Sequence, residues 1–425
     1  MILKPYPHLG ERVYEARLNN GLTVRVVPKD GFTKTHAFLA VNYGSMDTRF
    51  SLNGTSYVTP EGVAHYLEHK MFDMPDGNAM YMFSELGGSP NAFTSYDMTA
   101  YYVECTDHVK ENLKILLKFV STPFFTKESV EKEQGIIAQE IRMYEDSADS
   151  RVFECLFEAM YAHHPIRNPI AGTVESIAQI TDETLYQCYN AFYTPENMML
   201  CVVGDVDPQM VFDLAEEVVP KGHAAPVREY GPAEVMVPHK KRTERAMEVS
   251  MPMFCFGFKT EPASGEAAMA QEIIGDLAAE ILMGESSELY TKLYEDNLID
   301  SGFSAGYEGL RGASMISASG DSRDPEAVLE AVLREAERLG RAGLDEDLFQ
   351  RLKRSALGRR MRNLDSFSSI CYRMCAYYFE GVDCFAFPEQ FRSIGVEQVA
   401  DFLSRTVRED RCAMAVIQPN HQGGM

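Results

Sequence analysis

The alternation of apolar and polar residues predicts interleaved strands and helices along the first half of the chain. Residues 22–29 and 35–43 are rich in β-branched and aromatic side chains, a composition that favours β-strands. Residues 90–105 have the pattern of a strand pair, and residues 198–204 form an apolar run typical of a strand. Helices are predicted over 60–73, 107–121, 126–147, 151–162 and 181–192.

The predicted helix over 60–73 begins with residues that favour a helix start. Thr59 can serve as the N-cap, Pro60 suits the first helical position, and Glu61 is favourable in the first turn. We therefore expect this helix to begin directly after Thr59.

The chain length and a segment near its middle predict two domains. With 425 residues the chain is too long for one ordinary hydrophobic core. Residues 219–243 are rich in proline, glycine and charge, which is typical of a linker. We predict a first domain over 1–225, a linker over 226–243 and a second domain over 244–425.

The second half of the chain repeats features of the first half. Residues 180–203 match 394–417 at a constant offset of 214, and both segments read as a helix, a short charged turn and an apolar strand. The predicted helix 130–147 likewise matches 349–366. Generic helix–strand periodicity could give the same matches. The alternative that we favour is a duplicated unit, and it predicts an α+β fold of two homologous domains.

Composition narrows the class of protein. The net charge of −23 would repel phosphate backbones, so we expect no nucleic-acid partner. No apolar stretch is long enough to predict a membrane span, and the N-terminus lacks the apolar region of a secretory signal. The nine cysteines are scattered and form no C-x-x-C pair, which predicts reduced thiols and a cytoplasmic protein.

The motif HYLEH, residues 65–69, carries the candidate chemistry. His65 and His69 are four residues apart, so a helix places both imidazoles on one face as a half-site for zinc. Glu68 adjoins that face and could take a proton from a water that zinc activates. Two solvated histidines on a surface helix would give the same pattern. The apolar neighbours of the motif favour a buried segment instead, in which histidines need partners.

A catalytic zinc site needs a third protein ligand. The best candidates lie in the predicted helix 126–147, where Glu133 and Glu140 are two helical turns apart and share a face. Small or apolar residues surround them, so at least one carboxylate should point inward and would require a partner. A solvated acidic face is the alternative, and it suits Glu140 poorly.

These motifs resemble the pitrilysin (M16) family of zinc metallopeptidases. HYLEH, followed about 70 residues later by E-x-E-x-G-I-I-x-Q-E-I, is similar to the family's inverted zinc motif. The resemblance implies a pitrilysin/LuxS-like fold for each domain, with an antiparallel-rich sheet packed against helices. It implies one Zn²⁺ per chain, with His65, His69 and Glu140 as the three protein ligands. It also implies that Glu68 is the general base and that Glu133 supports the ligand shell.

The resemblance also implies a strand that binds the substrate. The segment GGSPNAFTSYDMTAYY is similar to the family segment whose edge strand holds a peptide by β-augmentation. The residues carried over to this role are Asn91, Ala92, Phe93 and Thr94.

Two departures from the family pattern concern the second half. Arg359 and Leu352 occupy the positions that match Glu140 and Glu133, so only one zinc site per chain is expected. Active family members also use an Arg and a Tyr, seven residues apart, to hold the substrate carbonyl and stabilise the oxyanion.

The positions that match the Arg/Tyr pair hold Tyr294 and Ser301 instead. Tyr307 and Arg311 lie nearby, in the wrong order and spacing. The resemblance therefore implies a zinc-free homologous partner subunit that supplies the pair, with a homodimer as the alternative.

Three functions fit these residues. The first is a zinc endopeptidase subunit that hydrolyses short or unfolded peptides in a closed dimeric chamber. The second is a non-catalytic peptide-binding or scaffold subunit of the same fold, although such proteins usually have an eroded zinc motif. The third is a zinc enzyme acting on a small molecule, which the edge strand disfavours.

Overall fold

The computed structural model describes residues 1–420. Its strands are β1 Ile2–Tyr6, β2 Glu11–Arg17, β3 Thr23–Pro28, β4 Thr35–Val41, β5 Arg49–Leu52, β6 Thr55–Val58, β7 Asp73–Met74, β8 Gly77–Asn78, β9 Ser89–Thr94, β10 Thr99–Cys105, β11 Met198–Gly204, β12 Val227–Arg228, β13 Arg242–Met247, β14 Met253–Lys259, β15 Ser304–Leu310, β16 Ala313–Asp321 and β17 Cys412–Pro419.

Its α-helices are α1 Val63–Met71, α2 Ala79–Glu85, α3 Val109–Val120, α4 Lys127–Glu145, α5 Ala148–Met160, α6 Val174–Ile177, α7 Asp182–Phe192, α8 Pro208–Val218, α9 Glu266–Met283, α10 Glu288–Glu295, α11 Pro325–Ala342, α12 Glu346–Arg362, α13 Phe367–Phe379, α14 Phe387–Ser393 and α15 Val396–Thr406. None of the helices within residues 1–420 has the length and apolar character needed to cross a bilayer.

The strands and most of the helices predicted in the first half are confirmed. The predicted strands correspond to β3, β4, β9, β10 and β11, and four predicted helices correspond to α3, α4, α5 and α7. The agreement follows from strong local patterns: β4 and β11 are buried along their whole length, as continuous apolar runs predict.

The predicted start of the HYLEH helix is wrong. Helix α1 begins at Val63, after Gly62 in the left-handed region at φ 87°, and the hydroxyl of Thr59 donates to the carbonyl of Thr48 instead of capping the helix. A Cβ at Gly62 would lie 2.4 Å from the carbonyl oxygen of Ala171. This long-range contact fixes a turn that only glycine can make, and it overrides the local capping preference.

The chain forms two compact units, and neither is a continuous segment. The first unit contains Met1–Ile141, Pro169–Glu229 and Arg360–Phe385, and the second contains Arg142–Asn168, Tyr230–Arg359 and, within the described chain, residues 386–420. Each unit thus includes a segment from the other half of the chain. The domains predicted over 1–225 and 244–425 are continuous segments and so differ in kind from these units. Their boundaries stay a prediction.

The first unit is built on a seven-stranded sheet in the order β1-β2-β3-β11-β4-β10-β9. Its pairs are antiparallel except β3 with β11. Helices α1, α3 and α8 pack against this sheet, and α7 packs against α1. Helix α13, from the second half of the chain, packs against β11 and β4. Strand β9 is the last strand of the sheet and leaves an open edge.

The second unit repeats this plan with five strands in the order β13-β17-β14-β16-β15. Strand β17 pairs parallel with β13 and antiparallel with β14, as β11 does with β3 and β4. Helices α7 and α15 are separated by the predicted offset of 214 residues. Helix α5, from the first half of the chain, packs against β13, β14 and β17. The predicted α+β fold of two homologous domains is confirmed.

Candidate metal and catalytic site

Helices α1 and α4 bring the three predicted ligands together. His65 Nε2 lies 3.5 Å from Glu140 Oε1, and His69 Nε2 lies 3.3 Å from Glu140 Oε2. One ligand atom from each of the three residues falls within 4.8 Å of the others. Ligand atoms around a tetrahedral zinc ion at about 2.0–2.1 Å are about 3.3 Å apart, so this donor set fits zinc.

Glu133 lies on the same face of α4 as Glu140. It contacts His69 and is not one of the three residues that form the ligand group. Its Oε1 is 3.1 Å from His69 Nδ1. A carboxylate that accepts from Nδ1–H fixes the tautomer with Nε2 free and orients the ring. His65 differs, because its buried Nδ1 has no hydrogen-bond partner among residues 1–420.

The charges of the site support one another. Burial lowers the pKa of His69, but hydrogen bonds with Glu133 and Glu140 outweigh it and raise that pKa to about 9. Hydrogen bonds with His65 and His69 hold the pKa of Glu140 well below its usual range. Glu140 is therefore a carboxylate at neutral pH and is ready to bind a cation.

Glu68 faces a different environment. It is buried, and burial raises the pKa of its carboxyl group, opposed by a hydrogen bond from Thr94. Thr94 Oγ1 donates to Glu68 Oε2 at 2.6 Å. Within residues 1–420, no protein group hydrogen-bonds the other oxygen, Oε1. Glu68 thus has one oxygen held and one oxygen available.

The predicted substrate residues lie on the open edge strand β9. Ser95 N–H bonds to Met98 O at 2.7 Å, so the alternation of an antiparallel ladder turns Phe93 and Asn91 toward β10. The main-chain groups of Ala92 and Thr94 therefore point to the open edge of the sheet. Ala92 N–H is already bonded to the side-chain oxygen of Asn91 at 2.8 Å.

Sequence reasoning missed the contact of Thr94 with Glu68. It placed Thr94 on the substrate strand for its main chain only, and no motif spacing links residues 26 positions apart on different elements. The contact forms because α1 packs on β9, and no pattern in the sequence indicates that packing.

Two side chains near the positions matched to the family's Arg/Tyr pair, Tyr307 and Arg311, have partners within the second unit. Tyr307 OH accepts a hydrogen bond from Gln271 Nε2 at 2.9 Å, and its ring occupies the space where a Cβ of Gly275 would be. Arg311 Nη1 donates to Tyr230 OH at 3.2 Å. These contacts give both side chains structural partners.

The fold and the site together define a class of protein, and comparison with known proteins agrees. Residues 33–174 match the model of the insulinase family, peptidase family M16, and residues 179–356 match the model of the M16 inactive domain. This chain belongs to the M16 peptidase family.

Particular relatives cover almost the whole chain. It is 36% identical to a Bacillus subtilis (strain 168) protein named uncharacterized zinc protease YmfH, over 98% of this chain and 100% of that protein. A crystal structure of an M16-like peptidase from Alicyclobacillus acidocaldarius has a TM-score of 0.93 and 31% identity, covering 99% and 100% of the two chains. The match to a crystal structure of pitrilysin has a TM-score of 0.78 and 18% identity. It covers 96% of this chain and 45% of the pitrilysin chain.

Proposed function

We propose that this chain is the zinc-bearing subunit of an endopeptidase that hydrolyses short or unfolded peptides. The observation that carries the proposal is the convergence of His65, His69 and Glu140 beside the buried carboxylate of Glu68, next to an open strand edge. A scaffold subunit has no need for such a donor set, and its presence favours the enzyme.

The ligand set has a defined role in this proposal. His65, His69 and Glu140 would hold the zinc ion, and Glu133 would orient His69 through Nδ1. Zinc, when bound, polarises a carbonyl and lowers the pKa of water.

Glu68 supplies the proton transfer. Its oxygen Oε1 has no protein partner within the described chain and can accept a proton from the attacking water. The same carboxyl group then gives the proton to the leaving amine. Burial favours this exchange because it raises the pKa of Glu68 toward neutrality.

Strand β9 would bind the peptide by strand addition. The N–H and C=O groups of Ala92 and Thr94 point to the open edge, where an extended peptide can extend the ladder. The Asn91 side chain must release the Ala92 N–H for this pairing. Main-chain pairing would select an extended conformation rather than a particular sequence. The net charge of −23 would favour cationic peptides.

A second subunit would complete the active site. The positions of the family's Arg/Tyr pair hold Tyr294 and Ser301, and Tyr307 and Arg311 have other partners. Pitrilysin is about twice as long as this chain, and a homologous partner would supply the corresponding second half. Full hydrolytic activity of the purified chain alone would contradict a zinc-free partner that supplies the pair.

The decisive experiment combines zinc analysis with hydrolysis of a quenched fluorogenic peptide, with and without the candidate partner. We expect about one zinc per chain. Glu68→Gln should keep the zinc and lower the turnover number by about 100-fold to 10,000-fold, because it removes the general base. Absence of zinc from the wild-type protein, or unchanged hydrolysis by Glu68→Gln, would reject the proposed function.

A further inference from the structure

The hydroxyl group of Thr94 joins the edge strand to the carboxylate of Glu68. Thr94 is the last residue of β9, and its Oγ1 lies 2.6 Å from Glu68 Oε2 on α1. Its main-chain groups face the open edge of the sheet, whereas its side chain faces the acid. A single residue therefore contacts both the proposed peptide edge and the proposed base.

The acceptor character of the carboxylate assigns the direction of this bond. Thr99 Oγ1 lies 2.8 Å from the carbonyl oxygen of Tyr43 and 3.5 Å from Thr94 Oγ1. A carbonyl only accepts, so the shorter contact takes the single proton of Thr99. Glu68 as a carboxylate can only accept, so Thr94 donates its proton to Oε2 at 2.6 Å, and the Thr99 oxygen at 3.5 Å is the weaker alternative acceptor.

This bond restricts the carboxylate of Glu68. Oxygen Oε2 is held by Thr94, and the rotation of the carboxyl group then places Oε1 on the opposite side. A hydrogen bond to an ionised group is stronger than one between neutral partners. Without the hydroxyl, Oε2 of this buried carboxylate would lose its only side-chain donor within the described chain.

We propose that Thr94 is a positioning residue that holds Glu68 in its reactive orientation and couples peptide docking to catalysis. This inference rests on the proposed function. A peptide that pairs with the main chain of Thr94 restrains the residue whose hydroxyl orients the base. Extended peptides bound on β9 would therefore meet a base that is already aligned.

Two substitutions separate the hydroxyl from the shape of the side chain. Thr94→Val has nearly the same shape and lacks the donor, whereas Thr94→Ser keeps the donor and loses a methyl group. For Thr94→Val we expect kcat to fall on the order of tenfold, since a hydrogen bond to a charged group is lost. Its KM should change less than about threefold, because the main-chain edge is unaffected. Thr94→Ser should restore most of kcat.

The controls use zinc content and an exposed hydroxyl outside the edge strand. Ser56→Ala removes an exposed hydroxyl of β6 and should leave kcat and zinc content unchanged. In the Glu68→Gln background, Thr94→Val should lower the residual rate less than about twofold, since coupled residues are non-additive. Wild-type kcat in Thr94→Val, or equal loss in Thr94→Val and Thr94→Ser, would overturn the inference.

A structural readout separates failure of this inference from failure of the proposed function. Crystal structures of the zinc-loaded Thr94→Val and Thr94→Ser variants should show Glu68 turned away from its position in the first and unmoved in the second. If Glu68 keeps its orientation in Thr94→Val, the positioning role is rejected whatever the activity. If Glu68 moves but Glu68→Gln hydrolyses peptide normally, the bond exists and the proposed function fails.

Discussion

Equivalent helices of the two units hold different chemistry at the same position. Helices α4 and α12 begin 219 residues apart, so Glu140 of α4 corresponds to Arg359 of α12 and Glu133 corresponds to Leu352. Helix α9 packs against β15 and α15, as α1 packs against β9 and α7. Arg359 forms an ion pair with Glu280 of α9, with Nη1–Oε1 at 3.3 Å and Nη2–Oε2 at 2.5 Å.

The difference shows how one scaffold can carry or lack a set of candidate metal ligands. In the first unit, the facing helices present two imidazoles and a carboxylate, a donor set that fits a metal ion. In the second unit, a guanidinium is the fixed cation and binds the facing carboxylate in a bidentate manner. An arginine at this helix position pairs with the facing carboxylate and offers no lone pair to a metal ion.

The largest expected effect concerns the ligands. His65→Ala should lower the zinc content from about one per chain to near zero, because two remaining ligands bind zinc weakly. Elemental analysis of purified protein measures this, with Arg359→Ala as the control at the equivalent region of the second unit. If His65→Ala still held about one zinc per chain, the metal would bind elsewhere. The contrast between the two units would then fail.

A smaller effect is expected at Glu133. Glu133→Gln should weaken zinc binding by about 10-fold to 100-fold, since the residue orients His69 and increases its basicity. Competition with a chromogenic chelator measures the affinity. Glu131→Gln, an exposed residue of the same helix, serves as the matched control. If the two variants bind zinc equally well, Glu133 does not support the ligand shell.

In the second unit, the carboxylate of Glu234 is held by donors from the protein itself. Glu234 accepts from the main-chain N–H groups of residues 162–164 and from Lys259 Nζ at 3.2 Å. Burial raises the pKa of Glu234, but these donors outweigh it and lower the pKa from 4.5 to about 2.

The lowered pKa of Glu234 predicts a dependence of stability on pH. The folded state favours the charged form, so its contribution to the free energy of unfolding is complete above about pH 4.5 and is lost as the pH falls toward 2. Urea unfolding between about pH 5 and pH 3 should show a shallower decline for Glu234→Gln than for the wild-type protein. Parallel declines would contradict the assigned pKa.

The smallest effect is expected at the ion pair of the second unit. The side chains of Arg359 and Glu280 are 50% and 25% exposed. Exposed ion pairs contribute about 0–1 kcal/mol, so Arg359→Ala should lower the free energy of unfolding by less than about 1 kcal/mol. Chemical denaturation measures it. A larger loss would mean that this pair contributes more than an exposed ion pair does.

Much of the fold and the candidate site could be predicted from local patterns. The apolar runs of β4 and β11 and the four-residue spacing of His65 and His69 are local features, and they survive folding because a strand or helix imposes its own geometry. The helix start at Thr59 could not be predicted, because the contact of Gly62 with Ala171 comes from a distant segment.

The sequence by itself determined the class of chemistry. Two imidazoles on one helical face, a carboxylate between them and two acids seven residues apart on a second helix follow from spacing alone. The same spacing determined that Arg359 and Leu352 replace those acids in the second half.

Only the tertiary structure decided which groups come into contact. Packing of α1 against α4 places Glu140 between both imidazoles and leaves Glu133 behind His69, across 64 residues of chain. Packing of α1 against β9 brings Thr94 to Glu68. The contact of Arg359 with Glu280 spans 79 residues. Contacts between distant segments depend on how whole elements pack, and residue spacing within one element carries no information about that packing.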